Sequence, residues 1–319
     1  VWINVGEGSG NILTTYHYQG SNYGYMAGAY GGPSATWMNT IERFSLTSDG
    51  NAADVGDTTR AVEEPAGASS LTHGFVAGGG SNSPSGPQNV VDKFAFASSG
   101  NAVDHGDITV ARYYAVGAFS ATYGYVCGGE IVGAVDQDVI DKYAFASNVS
   151  GTDVGNLTDA RSRGNCTSST DYGYYNSGGY PPNTAVNTIE RYSFTTDGNA
   201  SDVGDMGSTD FWQSSSSSSD THGYFAGGSG SGGNGPVINR IERHAFAASA
   251  SGSDVGDITV ARKWPSSSSS TTHGYTMGGR TGPGYSDVID KFAYGASSNS
   301  ADVGNLTSSK GAGGHNTQN

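Results

Sequence analysis

The sequence predicts an all-β fold, a β-propeller of six four-stranded antiparallel blades. Three observations predict it: a period of about 50 residues, turn residues that divide each period into four short segments, and 51 Gly among 319 residues of which only 14% are charged. Gly this frequent disfavours helices, because each Gly inside a helix costs about 1 kcal/mol relative to Ala. A four-stranded unit cannot bury both faces alone, but identical neighbours stacked around an axis can.

The period is marked by a Gly followed by an aromatic residue. Successive copies are 50, 50, 49, 50 and 51 residues apart and begin at Gly24, Gly74, Gly124, Gly173, Gly223 and Gly274. A Gly doublet follows in five copies, at 78–79, 128–129, 178–179, 227–228 and 278–279, while the first copy has Gly28-Ala29. We expect the segment between the two signals to be the second strand of each blade.

The third strand is predicted by an apolar, acidic, basic and aromatic run. Its copies are 41–44, 91–94, 140–143, 189–192, 241–244 and 289–292, the fifth ending in His244. The fourth strand is predicted by an Asp-Val-Gly-Asp motif that recurs, with small variations, from Asp54, Asp104, Asp153, Asp202, Asp254 and Asp302. Asp-Gly stands between these two strands at Asp49-Gly50 and Asp197-Gly198, which is a strong hairpin signal.

With these elements in place, the chain resembles the kelch repeat family over nearly its whole length. The shared features are the Gly doublet that ends the second strand, the acidic and aromatic third strand, and a later basic position. That position falls on Arg112, Arg161, Arg262 and Lys310, while Val62 and Asp210 stand there in the other copies. A Val of Asp-Val-Gly-Asp also replaces the Trp that is usual in a kelch fourth strand. More specifically, residues 254–262 together with 271–275 resemble kelch-like repeats of virion structural proteins from tailed phages of aquatic environments.

The two ends of the chain carry redundant copies of one strand. Residues 4–7 (Asn-Val-Gly-Glu) are a degenerate copy of the fourth-strand motif that also occurs at 302–305. We therefore divide the chain into an N-terminal strand segment (1–9), a propeller (10–307) and a C-terminal tail (308–319). The extra strand either pairs locally or adds to a neighbouring molecule, and in the second case Trp2, Ile3 and Val5 are the assembly residues.

The charge balance limits the partners. With 15 basic and 29 acidic residues the net charge is −14, so nucleic acid and anionic membrane surfaces are repelled, and no apolar run is long enough for membrane insertion. We expect an extracellular or virion protein. Its expected partners are copies of itself, other virion or surface proteins, and a host surface glycan or protein.

No motif predicts an active site, so we expect no enzyme and no cofactor. The acidic and basic residues of the third strand are adjacent and point to opposite faces, which favours structural ion pairs. The Asp-Val-Gly-Asp carboxylates would accept Ca²⁺, but Asp beside a Gly turn more often bonds the nearby backbone. The residue before each Gly-aromatic pair is Tyr or His, including His73, His222 and His273, and we interpret it as packing rather than metal binding. Cys127 and Cys166 are likewise interpreted as packing residues.

Binding is better supported, because the loops after the Gly doublets vary while the framework repeats. Six residues in these loops are the candidate ligand-binding residues, suited to stacking on sugars or contacting proteins: Tyr30, Trp37, Tyr180, Arg240, Arg280 and Tyr285. Ser runs at 214–219 and 266–270 align with the innermost strand and are interpreted as packed small residues. The function expected is a non-enzymatic structural or recognition propeller. The alternatives are a self-assembling filament subunit joined by strand exchange and, more weakly, a propeller hydrolase or lyase.

Overall fold

Six blades of four antiparallel strands surround a central channel in the computed structural model. It describes residues 20–32, 34–180, 184–230, 235–247, 251–282 and 284–318. These ranges contain no helix, and accordingly no helix long and apolar enough to cross a membrane. The predicted six-bladed β-propeller is confirmed.

Each blade runs from an inner strand beside the channel to an outer strand at the rim. Blade 1 contains β1 (Tyr23–Gly31), β2 (Thr36–Ser45) and β3 (Ala53–Asp57). Blade 2 contains β4 (Ala66–Ser69), β5 (His73–Ala77), β8 (Val90–Ala95) and β9 (Val103–Asp107), with a hairpin of β6 (Gly80–Asn82) and β7 (Ser85–Pro87). Blade 3 contains β10 (Val116–Phe119), β11 (Tyr123–Cys127), β14 (Val139–Ala144) and β15 (Thr152–Asn156), with a hairpin of β12 (Glu130–Ile131) and β13 (Val135–Asp136).

The remaining blades repeat this order. Blade 4 contains β16 (Asn165–Ser168), β17 (Tyr172–Asn176), β20 (Thr188–Ser193) and β21 (Ser201–Asp205), with a hairpin of β18 (Gly179–Tyr180) and β19 (Thr184–Ala185). Blade 5 contains β22 (Ser215–Ser218), β23 (His222–Ala226), β24 (Arg240–Ala245) and β25 (Ser253–Asp257). Blade 6 contains β26 (Ser266–Ser269), β27 (His273–Met277), β28 (Val288–Ala293) and β29 (Ala301–Asn305).

The Gly-aromatic pair explains how strands within a blade and neighbouring blades pack. Gly124 lies opposite Tyr143 in the β11–β14 pair, and a Cβ at Gly124 would come within 2.3 Å of the Tyr143 ring. The aromatic residue that follows Gly124 contacts the next blade, since the ring of Tyr125 stacks on that of Phe194 with ring centroids 4.7 Å apart. Equivalent stacks join Phe75 to Phe145 and Tyr174 to Phe246. The core is therefore a series of layers between blades.

The hairpins between the third and fourth strands hold neighbouring outer strands together. Gly56 in β3 has a φ of +157°, and a Cβ there would lie 2.2 Å from the carbonyl oxygen of Gly100 in the hairpin of blade 2. The backbone N–H of Gly100 in turn donates to the carbonyl of Val55, at 2.8 Å. Only Gly permits this approach, which accounts for the Gly of the Asp-Val-Gly-Asp motif.

The ring closes through the C-terminal segment. Strands β30 (Lys310–Gly311) and β31 (Gly314–Gln318) both pair antiparallel with β1 and occupy the inner position of blade 1. The boundary that we drew at residue 307 therefore differs from the structure, since 310–318 belong to the sheet of the first blade. The sequence repeat cannot reveal this pairing, because β31 carries no copy of the inner-strand pattern. Its position depends on the closure of the ring of blades. The expected extra strand at 1–9 lies outside the described residues.

Candidate functional site

A ring of six unusual backbone conformations surrounds one mouth of the central channel. Each blade's inner strand is entered through a non-Gly residue with a positive φ, between 53° and 60°: Glu64, Tyr114, Arg163, Gln213, Trp264 and Ala312. We call these six residues the mouth ring. A left-handed backbone costs a residue other than Gly roughly 1–2 kcal/mol. The described chain uses Gly at 23 other positive-φ positions, yet at none of these six.

Backbone hydrogen bonds link the mouth ring into a nearly closed circle. The N–H of Ala312 donates to Trp264, that of Trp264 to Gln213, that of Gln213 to Arg163, that of Arg163 to Tyr114, and that of Glu64 to Ala312, over 2.6–3.1 Å. The order around the mouth is therefore that of the blades. Since the circle fixes the backbone, six different side chains are presented in one rigid frame.

Below the mouth, small residues of the inner strands line the channel. The cavity, about 590 Å³ with its open mouth, is lined by the mouth ring and by the inner strands, including Gly67, Gly117 and Cys166. Ser216 donates to the carbonyl of Cys166 at 2.7 Å, and Ser267 to that of Ser216 at 2.5 Å. Both Ser runs are buried, so their interpretation as packed small residues is confirmed.

Arg163 is the best-anchored side chain of the mouth ring. Its Nη1 lies 2.7 Å from Glu130 Oε2, and its guanidinium lies 3.7 Å from the centre of the Tyr114 ring. Glu130 also accepts from Tyr113, over 2.7 Å. Burial opposes the charge of Arg163, but Tyr114 and Glu130 outweigh it and raise the pKa of the guanidinium. The Arg163 charge is therefore compensated within the protein.

Other polar groups at the mouth lack partners. Within the described ranges, no hydrogen bond reaches the buried Oε1 of Gln213 or the buried Nε1 of Trp264. Burial raises the pKa of the Glu64 carboxyl well above its usual range, and the neighbouring Glu63 adds to that shift. Buried polar groups are normally satisfied, so Gln213 Oε1 and Trp264 Nε1 invite hydrogen bonds from outside the chain.

A second feature of the same face lies where blades 6 and 1 meet. The Tyr30 ring is 5.2 Å from that of Trp37 and 6.0 Å from that of Tyr285, both edge-on. Arg280 pairs with Tyr285 through the backbone, and its guanidinium lies 5.7 Å from the Trp264 ring. We call Tyr30, Trp37, Arg280 and Tyr285 the seam cluster. It adjoins the mouth ring at Trp264, so four of the six predicted binding residues lie together.

The other two predicted binding residues lie elsewhere. Arg240 turns toward its own blade, with Nε 3.2 Å from Glu242 and Nη2 3.4 Å from Asp210. Its guanidinium lies 5.2 Å from the ring of Phe211, which the structure places at the position of the repeated base, so the charge of Arg240 is used inside blade 5. Tyr180 lies in β18 on blade 4, remote from the seam in blade order, and its side chain is outside the description. Trp2, Ile3 and Val5 lie outside the described residues as well.

The repeated acids and bases form structural pairs across the connections between blades. Arg112, on the connection that enters blade 3, lies 2.9 Å from Asp141 of that blade, and Thr109 holds the same carboxylate through its N–H and hydroxyl. The equivalent pairs are Arg60–Asp92, Arg161–Glu190, Arg262–Asp290 and Lys310–Glu42. Arg60 replaces the basic residue missing at Val62. The expectation of structural ion pairs is confirmed.

The remaining candidates have local partners. The Asp of every Asp-Val-Gly-Asp copy accepts the N–H of the Gly two residues on, as Asp54 does from Gly56 over 3.1 Å. His73 bonds Thr72 through Nδ1, and Cys127 lies 3.1 Å from the Tyr192 hydroxyl. Within the part of the chain that the structure describes, no group of three or more His, Cys, Asp or Glu side chains is placed to hold a metal ion.

Sequence reasoning missed the mouth ring, although a signal was present. In each blade the mouth-ring residue is the second after the position of Arg112, Arg161 and Arg262, and the two residues that follow this position differ in every copy, as in Tyr113-Tyr114, Ser162-Arg163 and Lys263-Trp264. In blade 5 the structure places Phe211 at this position, one residue after the predicted Asp210. The left-handed conformation could not be read at the mouth ring, because Glu, Tyr and Trp do not favour it.

Comparison with known proteins adds no assignment. No protein-family model matches the chain, and no curated protein matches it. The fold and the geometry of the mouth therefore carry the functional argument.

Proposed function

We propose that this protein is a non-enzymatic recognition propeller that binds its ligand across the face formed by the mouth ring and the seam cluster. The observation that carries this proposal is the set of six different side chains on six left-handed backbone positions. Gly would occupy these positions with less strain, so the side chains are retained at a cost to stability. Such a cost is typical of residues that serve binding rather than folding.

The repeated charges support a non-enzymatic role. Asp141 and its counterparts are buried in pairs that hold the blades together, so the residues that most resemble catalytic acids serve the framework. A hydrolase or lyase is the weaker alternative. It would need a reactive group at the mouth, and Glu64 would be the residue to test.

We place the module on an extracellular or virion surface, as a tail, fibre or decoration component of kelch-like architecture. The low charged fraction and the high Gly content suit a rigid exposed part, and the resemblance of 254–262 to virion repeat proteins favours the virion. Host surface glycans and proteins are the expected ligand classes, and other surface proteins or copies of the chain are the expected neighbours.

Binding of the full chain to printed arrays of glycans and peptides tests the proposal. We expect a restricted set of ligands, at least tenfold weaker binding by Gln213→Gly and Glu64→Gly, and undiminished folding of both variants. Asp197→Gly is the matched control, because Asp197 has a φ of 52° in a hairpin of blade 4 that belongs to neither cluster. Equal binding by all three variants would contradict the use of this face.

A self-assembling filament subunit is the second candidate. Its support is that the six outer positions of the ring are already occupied by β3, β9, β15, β21, β25 and β29. The copy of the outer-strand motif at residues 4–7 thus has no free outer position in its own propeller, whereas strand addition to a neighbour would provide one. Light scattering of the full chain and of a variant without residues 1–9 tests this. If the full chain assembles and the shortened variant is a monomer, the filament role is supported. If both are monomers, it is refuted.

A further inference from the structure

The seam cluster carries positive charge in an otherwise acidic chain. Arg280 is exposed and lies directly opposite Lys263 in an antiparallel backbone pair. Like charges on opposed strand residues repel each other, and the chain as a whole has a net charge of −14. Burial and the neighbouring Arg280 lower the pKa of Lys263. Glu64 opposes this shift in part. The two cations thus lie together, with Glu64 as the acid nearest to Lys263.

No ion pair or hydrogen bond to the Arg280 guanidinium occurs within the described ranges. By comparison, Arg163 has Glu130 and Lys142 has Asp197 at 2.9 Å. Arg280 instead lies 5.7 Å from the Trp264 ring, and Lys263 Nζ lies 4.6 Å from the same ring. A contact with an aromatic face holds the Arg280 guanidinium in position without neutralising it, so an anion can still bind there.

Three half-buried aromatic rings continue from these cations. Tyr285 follows Arg280 through the backbone pair, and Tyr30 and Trp37 extend the surface onto blade 1. Tyrosine and tryptophan present an apolar ring together with a polar group, which suits contact with the CH-bearing face and the hydroxyls of a sugar. Burial raises the pKa of Tyr285 to about 12, so its hydroxyl stays neutral at physiological pH.

An extended peptide is less suited to this surface. Peptides commonly bind by adding a strand to an open sheet edge, which needs unpaired backbone groups. Here the backbone of Lys263 pairs with that of Arg280, over 2.6 and 3.0 Å, and β1 pairs with β30 and β31. The available contacts are thus side chains, and they combine cations with aromatic rings.

We infer that the seam cluster, together with Lys263 and Trp264, is a subsite for a carboxylate-bearing saccharide, with Arg280 binding the carboxylate and the Tyr285 and Tyr30 rings contacting the sugar. The inference rests on the proposed recognition function and names its ligand class. The same anion chemistry could come from an acidic peptide, which the test distinguishes.

The test uses the full chain and calorimetric titration with three acidic probes: tetragalacturonate, an alginate tetrasaccharide and a sialylated trisaccharide. Cellotetraose is the neutral probe and a pentaglutamate peptide is the peptide probe. We expect at least one acidic saccharide to bind, cellotetraose to bind at least tenfold more weakly, and pentaglutamate to do likewise.

Variants then locate the site. Arg280→Gln should weaken binding of the acidic saccharide at least tenfold, Arg280→Lys should retain part of it, and Tyr285→Leu should weaken it severalfold. Arg191→Gln is the matched control, since Arg191 also lies over a ring, that of Tyr172 at 4.5 Å, and its loss changes the net charge equally.

Three results would overturn the inference: failure of all three acidic saccharides, equal binding of cellotetraose or pentaglutamate, or an unchanged affinity in Arg280→Gln. None of these decides the proposed function, because the array experiment with Gln213→Gly and Glu64→Gly tests the mouth ring separately.

Discussion

Arg112 Nη2 lies 2.9 Å from Asp141 Oδ2, and both side chains are fully shielded from solvent. The pair ties the connection that leaves blade 2 to the third strand of blade 3. Arg112 also donates to the carbonyl of Val126 at 2.9 Å, and its own carbonyl accepts the N–H of Gly79 at 2.9 Å. A single residue thus joins two blades through both its side chain and its backbone.

Breaking this pair is expected to destabilise the protein strongly. Arg112→Met leaves the Asp141 carboxylate buried and without its counter-ion, which costs about 3–5 kcal/mol. Urea unfolding at pH 7 measures the loss. The double variant Arg112→Met with Asp141→Leu should recover much of it, because neither charge remains. Arg240→Met in blade 5 should cost less, since Arg240 is 29% exposed. Equal losses in blades 3 and 5 would contradict the importance of burial.

Replacing Glu64 by Gly is expected to leave stability unchanged or to raise it by up to about 1 kcal/mol at pH 7. Gly relieves the left-handed strain, and this gain is offset in part by the greater entropy of Gly in the unfolded chain. The raised pKa of Glu64 means that the folded protein favours the protonated carboxyl. The stability that the protonated carboxyl contributes is present below pH 4.5 and is lost as the pH rises. The gain from Glu64→Gly should therefore be larger at pH 7 than at pH 4. Thermal and urea unfolding at both pH values measure this difference. A lower free energy of unfolding in Glu64→Gly would show that Glu64 has a structural role instead.

His244 should make the protein sensitive to acid. It occupies the third-strand position that holds Phe or Tyr in the other five blades, and burial lowers its pKa to about 3. The unfolded chain takes up the proton near pH 6.5 and the folded chain does not, so stability present above pH 6.5 is lost as the pH falls. His244→Phe should leave stability at pH 7.5 within about 1 kcal/mol. At pH 4.5 it should gain about 2–3 kcal/mol over the unsubstituted chain. Urea unfolding at both pH values provides the comparison, and a constant difference would refute the assignment.

Removing residues 314–319 should open the ring. The deletion leaves the inner edge of β1 unpaired over Tyr23–Ala27, and an exposed edge promotes association. We expect a less cooperative thermal transition and oligomers in light scattering. A synthetic peptide of residues 312–319 should restore both properties, and a scrambled peptide should not. A deletion variant that stays monomeric and unfolds as before would show that β31 is dispensable.

Much of the fold follows from short-range patterns. The 50-residue period, the Gly-aromatic pairs and the Asp-Gly hairpins each act over a few residues, because glycine, aspartate and ring side chains set local backbone angles and strand faces. They predicted the six blades, the strand order within a blade and the buried Ser strands. Variation among the loops predicted six ligand-binding residues, and the structure places four of them together: Tyr30, Trp37, Arg280 and Tyr285.

The rest depended on how distant segments meet. The pairing of β31 with β1 joins residues nearly 300 apart, and no local pattern specifies it. Arg240 turns into blade 5, where Phe211 stands in the preceding connection at the position of the repeated base. The mouth ring arises only when six connections converge on one axis and their backbones bond in a circle. The sequence by itself determined the repeated blade, since turn and strand preferences are local. The tertiary structure decided which varied side chains share a surface, because that depends on the closure of the ring.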